Sequence, residues 1–155
     1  MKTDSSSENA AHRMEQMVSK LREREFRITP QRMAVLRVLA AIEGHHSVKE
    51  IYEIVRREFP TTGIATIYKT VNLLKKLNEV LEIAIPGGGK WYDGHKPFPH
   101  PHVICIGCKK VIDLDIGSLK DITKKVADKT GFDIMSYRLD FFGVCSDCEK
   151  KRKTG

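Results

Sequence analysis

The sequence predicts an α+β protein in which an N-terminal winged helix-turn-helix is followed by a small α+β domain. A series of amphipathic helical patterns leads into two short strand patterns joined by a glycine-rich turn. The last third of the chain alternates strand, strand, helix and strand. Two CxxC pairs in this last part predict a metal that stabilises a domain too small for a large core.

The division of the chain follows from these patterns. Residues 1–93 carry the first set of helices and the hairpin, and residues 102–155 carry the second set of elements. Residues 94–101 contain three prolines and show no hydrophobic periodicity, so we interpret them as a linker. At 155 residues with 41% hydrophobic side chains, the chain is long enough for two small domains.

Spacing and capping residues define the first two helices. Apolar residues recur at helical spacing from about residue 12 to residue 25, after a serine-rich start that we expect to be frayed. Thr29 is a suitable N-cap for a second helix, and Pro30 suits its first position. Gly44 can end that helix.

Two more helices and a hairpin complete the N-terminal domain. Ser47 and Glu50 form a capping box for a third helix. VLEIAI and KWYD flank PGGG, which predicts a β-hairpin. The fourth helix, IATIYKTVNLLKKL, is predicted to bury one apolar face. That face consists of Ile64, Ile67, Val71 and Leu74.

The second domain is predicted to contain strands HVICI, KVIDLD and FDIMSYRLDFF, with a helix before the last of them. Ser118 is the predicted N-cap of that helix, with Asp121 as its capping-box partner and Gly131 at its end. The basic tail from Lys150 to Lys153 is expected to be a disordered cationic end.

Composition excludes membrane and secreted classes. The start, MKTDSSSENAAHR, lacks an apolar signal-peptide core, and no later stretch has the roughly 18 consecutive apolar residues of a membrane span. We therefore expect a soluble, cytoplasmic protein with no membrane partner. The net charge of +7 makes a polyanion a plausible partner, although charge alone does not identify one.

All four cysteines fall in two CxxC pairs that are 36 residues apart. Such pairs form turns that place two thiolates on one tetrahedral Zn²⁺. The alternatives are a redox dithiol or two disulfides, but cytosolic thiols are kept reduced and a thioredoxin-like motif lies at a strand-to-helix junction. We therefore predict a structural zinc. Its ligands are Cys105, Cys108, Cys145 and Cys148.

Two histidines lie just before the first CxxC pair. Because side chains alternate in an extended chain, His100 and His102 point one way and Cys105 points the other. The histidines then belong to a separate site, with Asp113 across the predicted hairpin. Imidazoles and carboxylates suit Fe²⁺, Mn²⁺, Zn²⁺ or Co²⁺. Taken alone, an HxH pattern is also common among surface histidines.

Six motifs taken together resemble the ferric uptake regulator family of metal-dependent bacterial repressors. The resemblance covers about residue 12 to residue 148 and implies a regulator rather than an enzyme. The motifs are RITPQR at 27–32, His45-x6-Tyr52, ATIYKTVNLL at 65–74, WYD at 91–93, HPHVICIGCKKVID at 100–113 and GVCSDC at 143–148.

The resemblance implies a homodimer that binds an AT-rich palindromic operator in double-stranded DNA, with the second domain dimerising. It also implies one regulatory Fe²⁺ or Mn²⁺ held by both domains. Because that ion would favour the domain spacing that fits DNA, metal and DNA would tighten each other's binding. The implied ligands are His45, Asp93, His100, His102 and Asp113.

Within the family, this ligand set most resembles that of the peroxide-responsive repressor branch, whose members have an aspartate at the position of Asp113. In that branch bound Fe²⁺ reacts with hydrogen peroxide and a ligand histidine is oxidised, here by analogy His45 or His100, which ends repression. One alternative is an iron-responsive ferric uptake regulator that ignores peroxide. Another is a catalytic iron centre built from two histidines and a carboxylate.

The fourth helix is expected to contact DNA, because it is the second helix of a helix-turn-helix and no acidic residue occurs in residues 60–78. The same side chains could instead form an ordinary exposed face. The expected contacts on this helix are Thr66, Tyr68 and Lys69, and Arg27, just before the second helix, is a candidate contact to a phosphate or the minor groove.

Two positions leave alternatives open. His46 could replace His45 as a metal ligand, although adjacent side chains on a turn diverge. Lys109 stands where family members usually have the glycine that follows the first CxxC pair, which puts the geometry of that turn in question.

Overall fold

The protein divides into two compact units, an N-terminal unit at Met1–Phe98 and a C-terminal unit at Pro99–Gly155. The structure is a computed structural model that describes residues 4–117 and 119–155. Each unit combines helices with one three-stranded sheet, so the predicted α+β fold class is confirmed.

The N-terminal unit is the predicted winged helix-turn-helix. Strands β2 and β3 form the expected antiparallel hairpin, and the two-residue strand β1, which the sequence patterns did not predict, pairs with β3 to give the order β1-β3-β2. In chain order the elements are α1 (Asp4–Glu23), α2 (Pro30–Ala41), β1 (His46–Ser47), α3 (Val48–Glu58), α4 (Ile64–Lys76), β2 (Leu81–Ile85) and β3 (Gly89–Asp93).

Side-chain caps start two of these helices, as predicted. The Thr29 hydroxyl accepts a hydrogen bond from the Arg32 backbone N–H at 3.2 Å and so begins α2. At α3 the capping box is complete, since Ser47 Oγ accepts from the Glu50 backbone and Glu50 Oε2 accepts from the Ser47 backbone at 2.8 Å. These bonds satisfy N–H groups that have no partner within the helix.

Three local predictions for this unit are wrong. Helix α1 begins at Asp4 rather than near residue 12, because the segment before residue 12 contains no proline or glycine to stop it. Helix α2 ends at Ala41, before Gly44. Ile64 is 41% exposed, because it is the first residue of α4 and lies beyond the cover of the neighbouring helices.

The N-terminal unit has a continuous apolar core to which all four helices contribute. The chain leaves β3 in close contact with this core, since a Cβ at Gly94 would lie 2.7 Å from the Leu39 Cβ. Glycine is therefore required immediately after Asp93, and the position of Asp93 is fixed by packing. Fully buried core side chains include Met17, Leu21, Leu36, Leu39, Ile51, Ile67 and Leu74.

The C-terminal unit is built on a sheet with the order β5-β4-β6, in which β4 pairs antiparallel with β5 and parallel with β6. Its elements are β4 (His102–Cys105), β5 (Val111–Asp113), α5 (Lys120–Thr130), β6 (Asp140–Gly143) and α6 (Ser146–Thr154).

Two predictions for the C-terminal unit are wrong and one lies outside the described residues. Lys150 to Lys153 are part of α6, so the basic tail is helical. Only the end of FDIMSYRLDFF is a strand. The predicted cap Ser118 is not among the described residues, and α5 begins at Lys120.

The C-terminal unit buries little apolar surface. Among its described residues, Ile104 and Cys105 are the buried hydrophobic side chains. Such a unit needs stabilisation from a bound metal or a partner chain. Several of its large apolar side chains are exposed: Ile106, Ile112, Ile116, Ile122, Val126, Phe132, Met135, Phe141 and Phe142.

A buried arginine ties α1 to the end of the wing. Arg13 donates from Nε to the Gly94 carbonyl at 2.7 Å and from Nη2 to the Glu79 carbonyl at 2.6 Å. Its Nη1 also forms an ion pair with the Glu79 carboxylate at 2.8 Å. The side chain of Arg13 is only 7% exposed, so these three interactions are largely shielded from water.

We expect Arg13→Ala to lower the free energy of unfolding of the N-terminal unit by about 3 kcal/mol, because it leaves a shielded carboxylate and two carbonyls unpaired. Arg37→Ala is a matched control, since Arg37 pairs with Glu58 at the same 2.8 Å but in an exposed setting. It should cost under about 1 kcal/mol. Urea unfolding followed by circular dichroism measures both, and equal losses would contradict the assigned role of Arg13.

Candidate metal centres

The four cysteines lie together in the C-terminal unit. Cys105 ends β4, Cys108 follows in the turn, and Cys145 and Cys148 lie at the N-cap and in the first turn of α6. Their Sγ atoms lie within 4.8 Å of one another, and all four thiols are free of disulfide bonds. The two CxxC pairs therefore meet at one point, between a strand end and a helix start.

This spacing fits a tetrahedral zinc ion. Zn–S bonds of about 2.3 Å require sulfurs about 3.8 Å apart, and the Cys108 and Cys145 Sγ atoms are separated by 3.7 Å. The backbone at Gly107 also approaches the cluster closely, because a Cβ at this position would lie 2.9 Å from the Cys148 Sγ. The donor set consists of thiols alone, which suits zinc.

The thiols are in unequal environments. The Cys145 backbone N–H donates to the Cys105 Sγ at 3.3 Å and is the main cause that lowers the pKa of Cys105 to about 6. Hydrogen bonds with the Cys145 and Cys108 side chains raise the pKa of Cys148 to about 12. Four adjacent thiolates repel one another, so full deprotonation requires a cation among them.

The turn that contains the first CxxC pair forms despite the missing glycine. Lys109 has a φ of 65°, which is the left-handed conformation that glycine adopts at least cost. Its backbone N–H donates to the Cys105 carbonyl at 3.0 Å, and the Cys105 N–H donates to the Lys110 carbonyl at 2.9 Å. The lysine is therefore accommodated at a strain of roughly 1 kcal/mol.

A second cluster lies on the same sheet and contains no thiol. His102 pairs across the strands with Asp113, as the predicted hairpin requires. The Nε2 atoms of His100 and His102 lie 3.3 and 3.8 Å from the same Asp113 Oδ1, and the two rings are 4.4 Å apart. Two imidazole nitrogens and a carboxylate oxygen thus converge, which is a donor set for Fe²⁺, Mn²⁺ or Zn²⁺.

Asp140 is a member of this cluster that sequence reasoning missed. It pairs with His102 in the parallel register of β4 and β6, and its Oδ1 lies 3.1 Å from the His102 Nδ1. Burial lowers the pKa of His102, and the hydrogen bond with Asp140 partly opposes this. The available signal was an aspartate within an otherwise apolar strand pattern, LDFF.

His45 and Asp93 lie together in the N-terminal unit. The pairing of His46 with Tyr92 brings the preceding His45 opposite Asp93, and the His45 Nε2 lies 3.7 Å from the Asp93 Oδ2. Both side chains are buried. The Asp93 Oδ1 accepts from the backbone N–H of His95 at 2.8 Å, which orients the carboxylate.

The five predicted regulatory ligands are thus divided between the two units. The N-terminal unit brings together His45 and Asp93, and the C-terminal unit brings together the other three.

The residues predicted to contact DNA are in the N-terminal unit. Tyr68 and Lys69 are exposed on α4, whereas Thr66 is half-buried on the same helix. Arg27 is exposed just before α2, and its carbonyl accepts a hydrogen bond from the Arg32 side chain. Lys75 at the end of α4 pairs with Glu82 of β2 at 2.9 Å, which ties the helix to the wing.

Residues 23–142 match the model of the ferric uptake regulator family. The peroxide-responsive repressor PerR of Staphylococcus aureus (strain Mu50 / ATCC 700699) is 33% identical over 144 residues, which cover 93% of this chain and 97% of that protein. No helix within residues 4–117 and 119–155 is long and apolar enough to cross a membrane.

Solved structures share the fold. The Helicobacter pylori ferric uptake regulator, described as having three functional metal binding sites, aligns with a TM-score of 0.76 at 24% identity over 90% of this chain and 93% of that one. The Vibrio cholerae ferric uptake regulator aligns with a TM-score of 0.68 at 25% identity over 81% and 96%. The extent of the family match and the identity to the staphylococcal repressor show that this chain belongs to the ferric uptake regulator family, whose members are metal-responsive regulators.

Proposed function

We propose that this protein is a cytoplasmic, metal-dependent transcriptional repressor that binds operator DNA as a homodimer and is released from DNA by peroxide. The observation that carries the proposal is the convergence of His100, His102 and Asp113 near a separate set of four thiols. In a chain of this family, the thiols suit a structural metal ion, and the imidazoles and carboxylate suit a regulatory one. The identity to the Staphylococcus aureus peroxide-responsive repressor supports the peroxide branch.

The thiol cluster is proposed to hold a structural Zn²⁺. Cys105 and Cys108 come from the β4 turn and Cys145 and Cys148 from α6, so the ion would join the sheet to the last helix. Because the unit has little apolar core of its own, we expect this ion to contribute much of its folding free energy.

The regulatory ion is proposed to be shared by His45, Asp93, His100, His102 and Asp113. Each unit already groups its own members of this set, at 3.7 Å in the N-terminal unit and within 4.8 Å in the C-terminal unit. A shared ion would favour the arrangement of the units that it bridges. Since that arrangement is the one proposed to fit DNA, metal binding and DNA binding are coupled and reciprocal.

Peroxide sensing would use the same residues. A bound Fe²⁺ would supply the redox chemistry that activates hydrogen peroxide beside the ligand rings. One oxygen atom of the peroxide is proposed to add to a ring carbon of His45 or His100 while the other leaves as water, and an oxidised ring is a poorer metal ligand. The residues that would hold the ion would therefore also release it, and the metal-dependent affinity for DNA would be lost.

The exposed surfaces support the remaining parts of the proposal. In the sheet, Val103 pairs with both Ile112 and Phe141, so these three side chains form an apolar stripe on the face opposite His102. Ile112 and Phe141 are each 46% exposed, which suits a subunit interface. On α4, the exposed Tyr68 and Lys69 suit contacts with DNA.

Operator binding tests the metal dependence. DNA is selected from a random duplex pool with Mn²⁺-loaded protein, and the affinity is then measured by fluorescence anisotropy with Mn²⁺ and after EDTA treatment. We expect Mn²⁺ to tighten binding by about 5- to 150-fold, while one zinc per chain resists the chelator.

Asp113→Asn should abolish the effect of Mn²⁺ on DNA affinity, because it weakens a metal ligand. The control is Asp115→Asn, an exposed aspartate two positions later whose Oδ1 accepts from the Gly117 N–H. This variant should respond to Mn²⁺ as the wild type does. The proposal is wrong if stripped and Mn²⁺-loaded wild-type protein bind the selected DNA equally.

Peptide mass spectrometry tests the peroxide response. Protein loaded anaerobically with Fe²⁺ should gain one oxygen on His45 or His100 after a hydrogen peroxide pulse and then lose DNA affinity, whereas the Mn²⁺ form should change in neither respect. His12, which is exposed on α1, serves as the internal control and should stay unmodified. Unmodified histidines in an Fe²⁺ form that still binds DNA would instead indicate an iron-responsive regulator that ignores peroxide.

A further inference from the structure

Asp140 contacts His102 at Nδ1, the ring nitrogen opposite to the one that faces Asp113. It begins β6, and its side chain is 8% exposed. Its Oδ1 lies 3.1 Å from the Nδ1 of His102, and its Oδ2 accepts from the Arg138 Nε at 2.6 Å. Both oxygens of the carboxylate are therefore engaged, and its orientation relative to the His102 ring is fixed.

This contact selects one form of the His102 ring. A carboxylate only accepts hydrogen bonds, so the Nδ1 of His102 must carry the proton that it donates. In a neutral imidazole the other nitrogen then has a free electron pair. That nitrogen, Nε2, is the one 3.8 Å from the Asp113 Oδ1. The opposite tautomer would place a proton on the ligand atom and bring two electron pairs together at Asp140.

We infer that Asp140 is a positioning residue that holds His102 in the tautomer and orientation required to bind the regulatory metal, an inference that rests on the proposed function. A hydrogen bond from a ligand imidazole to a carboxylate also makes the imidazole a stronger donor. Arg138 in turn orients Asp140, since its guanidinium binds the second oxygen of the Asp140 carboxylate.

Register explains why this residue can act on His102. Asp140 and Asp113 occupy equivalent positions on the two sides of His102, one in the parallel strand and one in the antiparallel strand. Side chains at paired positions lie on the same face of a sheet. One aspartate therefore approaches Nε2 as a candidate ligand, and the other approaches Nδ1 as its support.

The test uses full-length, zinc-containing protein freed of regulatory metal. Nitrogen-15 NMR reports which ring nitrogen of His102 carries the proton, and the signals are assigned from their loss in His102→Gln. We expect a single Nδ1–H form in the wild type, a mixture of both tautomers in Asp140→Ala, and an intermediate result in Asp140→Asn, which keeps an acceptor oxygen but not the charge.

Affinity for Mn²⁺, measured by electron paramagnetic resonance titration, should fall by about 10- to 100-fold in Asp140→Ala and by less in Asp140→Asn. Asp128→Asn is the control, since Asp128 pairs with Lys124 on the exposed face of α5 in the same unit. It should change neither readout. Zinc content equal to that of the wild type shows that each variant retains the fold of this unit.

The inference is overturned if His102 keeps the Nδ1–H tautomer in both Asp140 variants, or if their Mn²⁺ affinity equals that of the wild type. A wild-type protein that binds no Mn²⁺ at all would refute the proposed function instead. In that case the tautomer measurement, made without metal, still decides whether Asp140 fixes the His102 ring.

Discussion

The alternation of side chains along β4 is the constraint on which both candidate metal centres depend. His102 and Cys105 are three residues apart in this strand, so their side chains leave opposite faces of the sheet. Pairing with β5 and β6 then places Asp113 and Asp140 beside His102. A shift of one residue in either pairing would move Asp113 or Asp140 to the face of Cys105, and would place a carboxylate beside the thiols instead of beside the imidazoles.

The two units are stabilised in different ways, and this difference suits the proposed switch. The N-terminal unit has a closed apolar core, side-chain caps on α2 and α3, and the buried Arg13, none of which involves a metal. The C-terminal unit has little core and four clustered thiols. Zinc would therefore stabilise the folded C-terminal unit. The ion held by imidazoles and carboxylates could exchange or be lost without unfolding either unit.

Local signals in the sequence predicted most of the fold, because they report contacts within a few residues. Thr29 and Ser47 identify helix starts, and PGGG identifies the hairpin tip. The errors at α1 and α6 arise where helix ends lack strong stop signals. Strand β1 and Asp140 were missed for another reason. Their roles depend on pairing with residues 38 or more positions away, and such long-range pairing cannot be read from a short pattern.

The proposed regulatory ion would be held jointly by imidazoles from both units, and counting the coordinated imidazoles tests this sharing most directly. Pulsed electron paramagnetic resonance of the Mn²⁺-loaded protein detects each coordinated imidazole nitrogen. We expect three in the wild type, from His45, His100 and His102, three again in His46→Ala, and two in His45→Ala. Two coordinated imidazoles in the wild type, with no change in His45→Ala, would contradict a shared ion.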